Sequence, residues 1–587
     1  MMRELTWKVG GAQGEGIEST GDIVAHGLHK SGYYVFAYRH FMSLIKGGNT
    51  WYKVRISDEP LQYHGDSTDL LIAFDQQTID EAREELHEGS IIVYDSSKWE
   101  VEQPPIDGVI LAPIPLTEIA KELGNPVMKN MVSVGATAAM MGIDYREFAN
   151  EISGRFAKKG DEVVQANMEA LRRGYEYFNE HFQGHLDLPP KPASHGERWW
   201  ISGNEATGAG AVLAGCRFEA AYPITPATEI LYWLAEKMPR VGGVAIQVED
   251  EMAACIMAIG ANYAGVRAMT TTSGPGFSLM QEAIGMAGMS ETPLVIVDVM
   301  RGGPSTGLPT KTEQGDLHEL LYGSHGDIPR IVLAPTSIED LFYYIAKAFN
   351  LSEQYQCPVL VASDLFLGTS KATVDALDPE RIRIERGALL TQEQLLEIAE
   401  GAYERYKVTE SGISPRSIPG LKNGRFVSLS NEHDAKATQE IEDEPTRIAQ
   451  MEKRQRKLAS FDPNAWGAFY EGPAEADVVL VGWGSTNGQL EEARAILTQE
   501  GYQIGHLQVR LLTPFPKAFV EHALAGSKKV VVVENNISGQ FAELLKQQLP
   551  IHDKLETCLQ YSGKPMTVAH VVQRVKEVAS LASSIEV

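Results

Sequence analysis

Three carboxylates stand together at Glu249, Asp250 and Glu251, after the apolar run Ala245–Val248 and ahead of a small-residue helical stretch, Met252–Ala264. Burial and mutual repulsion raise carboxyl pKa values, so one of the three can serve as a tuned acid, while acids at a helix start also suit its positive end. Downstream, Thr270-Thr271-Thr272-Ser273-Gly274-Pro275-Gly276 pairs hydroxyls with glycines before another helix, a composition fit for an anion or a polar cofactor. Arg301 follows the strand-like Leu294–Val299 and opens the glycine- and proline-rich loop that ends at Thr310 and Lys311. Such a loop has little to bury, and a guanidinium at a strand's carboxyl end can grip a carboxylate through two hydrogen bonds. In Tyr222-Pro223-Ile224-Thr225-Pro226 the two prolines fix φ on either side of Thr225, which makes a rigid loop; a purely structural turn explains the prolines but not the threonine.

Near the N-terminus, Gly10 to Gly16, including Gly11, Gly14 and Gly16, lies between the strand-like Leu5–Val9 and the helical Ile17–Lys30. Backbone N–H groups in such a turn can approach a phosphate, but the spacing is not GxGxxG, and a tight strand-to-helix turn without ligand fits equally. Lys46, beside Gly47 and Gly48, suits a phosphate, an interdomain contact or an exposed turn.

The elements that must hold these residues alternate between β-rich runs and helices, the pattern of open parallel sheets covered by helices. Strands are expected over Leu70–Phe74, Ser90–Tyr94, Leu294–Val299, Val359–Ala362, Val478–Val481 and Lys529–Glu534, and a helix over Gly203–Cys216. The Pro- and His-rich Phe182–Glu197 reads as a linker, and Ser411–Lys457 as a turn-rich connector whose dense mixed charge marks a solvated helix. The expected organisation is an α/β protein of three domains: residues 1–183, a linker over 184–197, 198–410, a connector over 411–459, and 460–587. No internal repeat of ~20 to 50 residues is apparent.

The 587 residues carry 52 Lys+Arg against 78 Asp+Glu, a net −26 that disfavours nucleic acid and anionic membranes as partners. Cys216, Cys255, Cys357 and Cys558 form no CxxC pair, so no metal or cluster ligand set is built locally. No run approaches the ~20 apolar residues of a membrane span and the start lacks an apolar signal region, so a cytoplasmic location is expected.

In order along the chain, GGAQGEG, SLIKGG, GNEA at 203–206, YPITP, EDE, TTTSGPGFSLM, RGGPSTGLPTKTEQGDL, SNEHD at 430–434, LTPFP at 512–516 and VENNISGQ at 533–540 resemble the α subunits of 2-oxoacid:ferredoxin oxidoreductases with a fused N-terminal γ domain. The resemblance implies a γ-type α/β domain, a pyrimidine-binding domain and a transketolase-C-terminal-like domain. It implies thiamine diphosphate shared with a β subunit, Mg²⁺ and a [4Fe–4S] cluster on that subunit, coenzyme A as co-substrate, ferredoxin as acceptor and an (αβ)₂ heterotetramer. By the same matching, Glu251 is the catalytic glutamate, with Glu249 its neighbouring alternative. Thr225, Arg301 and Thr310 bind substrate, while Tyr222, Pro223, Ile224, Ser273 and Gly274 join Glu251 on the pyrimidine side. Gly11, Gly14, Gly16 and Lys46 are assigned to coenzyme A or an interdomain contact. The chain lacks GDG followed by NN, the diphosphate and Mg²⁺ signature, which agrees with a partner that supplies it. The preferred substrate implied is 2-oxoglutarate; the alternatives are pyruvate or another 2-oxoacid and, remotely, a non-catalytic scaffold.

Overall fold

The computed structural model describes residues 4–43, 48–192, 196–425, 430–437 and 441–585, so Lys46 lies outside the described residues. The chain divides into two compact units, residues 1–201 with 369–376, and 202–368 with 377–587.

The first unit is built on an eight-stranded mixed sheet in the order Ile110–Ile114, Ile91–Asp95, Leu70–Ala73, Glu4–Ala12, Asn49–Ser57, Tyr34–His40, Lys371–Asp375 and Arg198–Ser202. Side chains alternate across a strand, so Leu5, Trp7 and Val9 enter the apolar core under the helices while Lys8 points the other way. Lys8 and its neighbour Lys53 are both buried and both reach Glu85, at 2.6 Å and 3.0 Å, where Thr68 Oγ1 also donates at 2.9 Å. The strand Arg198–Ser202, expected to open the second domain, instead completes this sheet beside Lys371–Asp375.

The second unit holds two sheets. One runs Leu511–Thr513, Ile331–Leu333, Pro358–Asp364, Leu294–Met300, Ala268–Thr272, Phe218–Ala221 and Val244–Gln247, parallel except for its first strand. The other is Ala468–Glu471, Ile504–Val509, Ala476–Trp483, Ser527–Glu534 and Leu555–Leu559, with only the first antiparallel. Parallel strands covered on both faces read as continuous apolar runs, and Leu294–Met300 is buried throughout, with Asp298 its one acid. The sheets share a core that includes Ile296, Leu360, Val481 and Val532. A polar joint reinforces it: the Gln314 amide spans the Trp483 carbonyl at 3.0 Å and the Asn535 N–H at 3.0 Å, while Asn536 donates to the Gln314 carbonyl at 3.1 Å.

The charged segment corrects the expectation of a solvated helix. Glu444–Arg456 is helical, capped by Asp443, but Gln450, Lys453 and Arg454 are buried in it and Lys457 follows them inward. Acids await them: the buried Glu291 takes Lys453 at 2.5 Å and Lys457 at 2.7 Å, and the half-buried Glu432 takes Arg454. Mixed charge looks solvated in sequence because the partner acids lie elsewhere in the chain.

Candidate active site

The loops at the carboxyl ends of the parallel strands bring most of the expected residues to one edge of the larger sheet, where open α/β sheets bind ligands. The three acids separate in role. Glu249 is exposed, and Asp250 accepts from the Ala253 N–H at 2.7 Å to cap the helix Glu251–Tyr263. Glu251, the first helical residue, is only 5 % exposed. The carboxyl lies against Gly276, where a Cβ would stand 2.5 Å from Glu251 Oε1 and 2.2 Å from Thr272 Oγ1. Glycine at 276 is therefore what lets the carboxyl reach this wall. Ser273 Oγ and Thr270 Oγ1 are buried with no hydrogen-bond partner among the described residues, leaving hydroxyls free for a polar ligand. Thr271 Oγ1 turns the other way, donating to Glu219 at 2.9 Å, whose carboxyl burial pushes up to about 8.

Arg301 and Thr225 also meet. Arg301 Nη1 donates to the Thr225 carbonyl at 2.9 Å, which fixes the guanidinium against the Tyr222–Pro226 loop, and the Thr225–Pro226 bond is cis. Tyr222 is exposed, Pro223, Ile224 and Thr225 are half-buried, and Asn204 Nδ2 steadies the loop through the Pro226 carbonyl at 3.2 Å. Arg301 is 8 % exposed, and its Nε has no partner among the described residues. Thr310 is buried in the same loop, which folds back on itself through Gly302 N–H to Lys311 O at 2.9 Å and Leu308 N–H to Gly302 O at 2.8 Å.

Arg301 and Gly274 line a cavity of about 630 Å³ whose other walls include Glu313, Asp316, Glu319 and the loop Asn536–Gln540. Thr310 and Glu251 are not in that lining. Asp316 is not a residue that the sequence singles out; the one signal for it is an acid, Asp298, inside an apolar strand, which requires a buried partner from somewhere.

In the first unit, Gly16 adopts φ 84° to start the helix Ile17–Lys30, and Gly14 has φ 92° with open space where a side chain would stand. Gly11 packs against Phe74 and Glu15, and the Glu15 carboxylate pairs with Lys129 at 3.0 Å. The loop thus neutralises its own nearby cation. Among the described residues no group of three His, Cys, Asp or Glu side chains is arranged to hold a metal, and burial pushes all four cysteine thiols up to about 12. No described helix is long and apolar enough to cross a membrane.

Three family models match the chain: "Pyruvate ferredoxin/flavodoxin oxidoreductase" over 6–177, "Pyruvate flavodoxin/ferredoxin oxidoreductase, thiamine diP-bdg" over 209–453, and "Pyruvate:ferredoxin oxidoreductase core domain II" over 476–571. The second spans Glu251 and Arg301 and ends at Lys453 within the charged helix. Fold and site thus define an α/β oxidoreductase with a thiamine diphosphate-binding domain. The 2-oxoacid:ferredoxin oxidoreductase 2 α subunit of Aeropyrum pernix is 34 % identical, with 98 % of each chain covered. The 2-oxoglutarate synthase subunit KorA of Methanothermobacter thermautotrophicus is 36 % identical over 59 % of this chain and 90 % of its own. A solved 2-oxoglutarate:ferredoxin oxidoreductase from Magnetococcus marinus, with 2-oxoglutarate, coenzyme A and succinyl-CoA bound, superposes with a TM-score of 0.92 at 37 % identity, covering 98 % of this chain and all of that one. The chain belongs to the α subunits of the 2-oxoacid:ferredoxin oxidoreductases.

Proposed function

We propose that this chain is the substrate- and pyrimidine-binding half of an enzyme that converts 2-oxoglutarate, coenzyme A and oxidised ferredoxin to succinyl-CoA, CO₂ and reduced ferredoxin. The observation that carries the reading is the buried Glu251 carboxyl, set against Gly276 at the strand ends with the unpartnered Ser273 and Thr270 hydroxyls on the neighbouring strand and loop. These residues fit the pyrimidine side of thiamine diphosphate, which supplies, when bound, a thiazolium carbon nucleophile for the 2-oxo group. Glu251 holds a proton at a carboxyl oxygen toward a ring nitrogen, and Tyr222 to Ile224 with Ser273 and Gly274 border the ring. Arg301 takes the 1-carboxylate, its guanidinium aimed by the Thr225 carbonyl, with Thr225 and Thr310 as further substrate contacts.

An incomplete site needs a partner, and the helix that begins at Glu251 offers a surface for one. Met252, Ile256 and Gly260 recur at four-residue spacing on its exposed side, with Met257 beside them. An apolar stripe of this kind marks an interaction surface. The partner assigned is a β subunit that brings the diphosphate and Mg²⁺ site and the [4Fe–4S] cluster, in an (αβ)₂ assembly that passes electrons to ferredoxin. The preference for 2-oxoglutarate is supported by the names of the KorA relative and the Magnetococcus enzyme.

The test is the complex reconstituted with its β subunit. Glu251→Gln is expected to lower kcat by ~10² to 10⁴, the contribution of a positioned acid–base group. Retention of wild-type rates removes Glu251 from that role. In a panel of 2-oxoacids, pyruvate turned over as fast as 2-oxoglutarate refutes the substrate assignment.

A further inference from the structure

The cavity beside Arg301 presents one cation and three acids: Arg301, Glu313, Asp316 and Glu319 are its charged lining residues. So acidic a wall repels an incoming carboxylate unless some of the acids carry protons. A fourth acid stands behind it. Asp298, on the strand Leu294–Met300, is wholly buried, and neither of its carboxyl oxygens has a donor within reach among the described residues; the group it faces is the carboxyl of Asp316. Two buried carboxyls that face each other with no other donor repel strongly when both are ionised, which favours a single proton held by the pair. The place of Asp316 is built in: a Cβ at Gly274 would stand 2.6 Å and 2.8 Å from the Asp316 carboxyl oxygens, so only glycine there lets the acid settle. Independently, Arg301 is more than nine-tenths buried in the same wall, with its Nε unpartnered among the described residues.

We propose that Asp298 and Asp316 share a proton and act as a positioning pair for Arg301, and that a carboxylate substrate reaching Arg301 enters together with a second proton that the pair takes up. The proposal rests on the reading of Arg301 as the substrate's carboxylate partner. With one proton the pair keeps a negative charge that competes for the guanidinium; with two it is neutral and Arg301 faces the substrate alone. Burial, then Glu319 and Glu313, push Asp316 up to about 7, and burial with Asp316 holds Asp298 well above the usual carboxylate range. The other charges facing the pair are accounted for. Glu319 on the helix Leu317–Tyr322 accepts from Ser278 Oγ at 3.0 Å, and burial raises Glu313. Gly274, Pro275 and Ser278 carry no charge, and on the opposite wall, from Asn536 to Tyr561, only Tyr561 is titratable. Protonation favours the bound anion, so affinity falls as pH rises through about 7.

Infrared pH-difference spectra of the full chain test the shared proton. The wild-type minus Asp316→Asn difference is expected to show a protonated-carboxyl band titrating near pH 7; Glu219 and Glu491, raised to about 8 and about 7, contribute equally to both spectra and cancel in it. A wild-type spectrum that loses no band titrating above about pH 5.5 when Asp316 is replaced by asparagine overturns the proposal. In the reconstituted enzyme, KM for the 2-oxoacid should rise by up to ~tenfold per pH unit above 7 in the wild type and stay level in Asp316→Asn, with the divergence in KM rather than kcat. A KM slope that survives in Asp316→Asn overturns the proton linkage. Wild-type KM in Arg301→Gln overturns the reading of Arg301 and the linkage with it, and an intact infrared titration then locates the failure in Arg301 rather than in the pair.

Discussion

Lys453 and Glu291 form an ion pair at 2.5 Å in which neither side chain is exposed, and Lys457 holds the second carboxylate oxygen at 2.7 Å. Burial alone would raise the Glu291 carboxyl, but Lys457 and Lys453 overcome it and hold it well below the usual range; burial pushes the Lys453 ammonium down to about 8 against the pull of Glu291. The glutamate gains what the lysines lose, so the cluster specifies where the charged helix docks more than it adds net stability. Breaking it is another matter. Glu291→Gln strands two buried ammonium groups and should cost ~3 to 5 kcal/mol in urea denaturation, whereas apolar residues of similar volume at 291, 453 and 457 together should recover most of that loss. A Glu291→Gln variant within ~0.5 kcal/mol of the wild type contradicts the account.

The first unit should lose stability in acid through Glu85. Burial alone would raise this carboxyl, but Lys8 and Lys53 overcome it and hold it at about 2. A carboxyl lowered in the folded state stabilises above its unfolded pKa, and that stability is lost as pH falls toward the folded value. The window is therefore pH 4.5 down to about 2. From that shift the loss is at most ~3 kcal/mol, and Lys53, which burial lowers, stays protonated throughout this window and adds no slope to it. Denaturation midpoints of the full chain taken across this window should fall more steeply for the wild type than for Glu85→Gln. Parallel curves argue against it.

Two glycines on either side of Pro275 should fail differently. Alanine at 276 puts a Cβ 2.5 Å from Glu251 Oε1, and alanine at 274 puts one 2.6 Å from the Asp316 carboxyl. Displacing a catalytic carboxyl by ~1 Å costs on the order of 10²-fold in rate, so Gly276→Ala should act on kcat. Gly274→Ala should act on KM and its pH dependence. Each overpacked site should also cost ~1 to 3 kcal/mol of stability. Identical kinetic profiles for the two variants refute the division of labour.

The strands were legible because central parallel strands are apolar on both faces: Leu294–Val299 was expected and Leu294–Met300 is found, as Lys529–Glu534 became Ser527–Glu534. The helix Ile17–Lys30 was legible to the residue, bounded by glycine before it and Ser31-Gly32 after. Tertiary pairings were not. Asp298 sits in a strand and Asp316 in a loop beyond the Arg301 segment, and no local period joins them. Lys453 and Lys457 share a helical face, yet whether that face meets water or Glu291 is decided 160-odd positions away, as the ion pairs at 2.5 Å and 2.7 Å record. The strand Lys371–Asp375 falls inside the expected domain 198–410 and instead pairs with Tyr34–His40. Motif types revealed the site's chemistry, while its acid–base partners came from long-range packing.

The apolar stripe that starts beside Glu251 yields the last prediction. Met252 is 51 % exposed and Ile256 40 %, values at odds with their side chains unless a second surface covers them. Desolvating a charge in such an interface costs several kcal/mol without a matching partner, so one lysine there should be decisive. Ile256→Lys should leave the fold intact, since the position is already open to solvent, and abolish co-purification with a tagged β subunit. Arg240→Ala, another exposed position on the preceding segment, should leave assembly unchanged. Loss of assembly in Ile256→Lys with an unaltered melting temperature of the isolated chain locates the β-subunit dock on this helix; full assembly in the variant removes the helix from the interface.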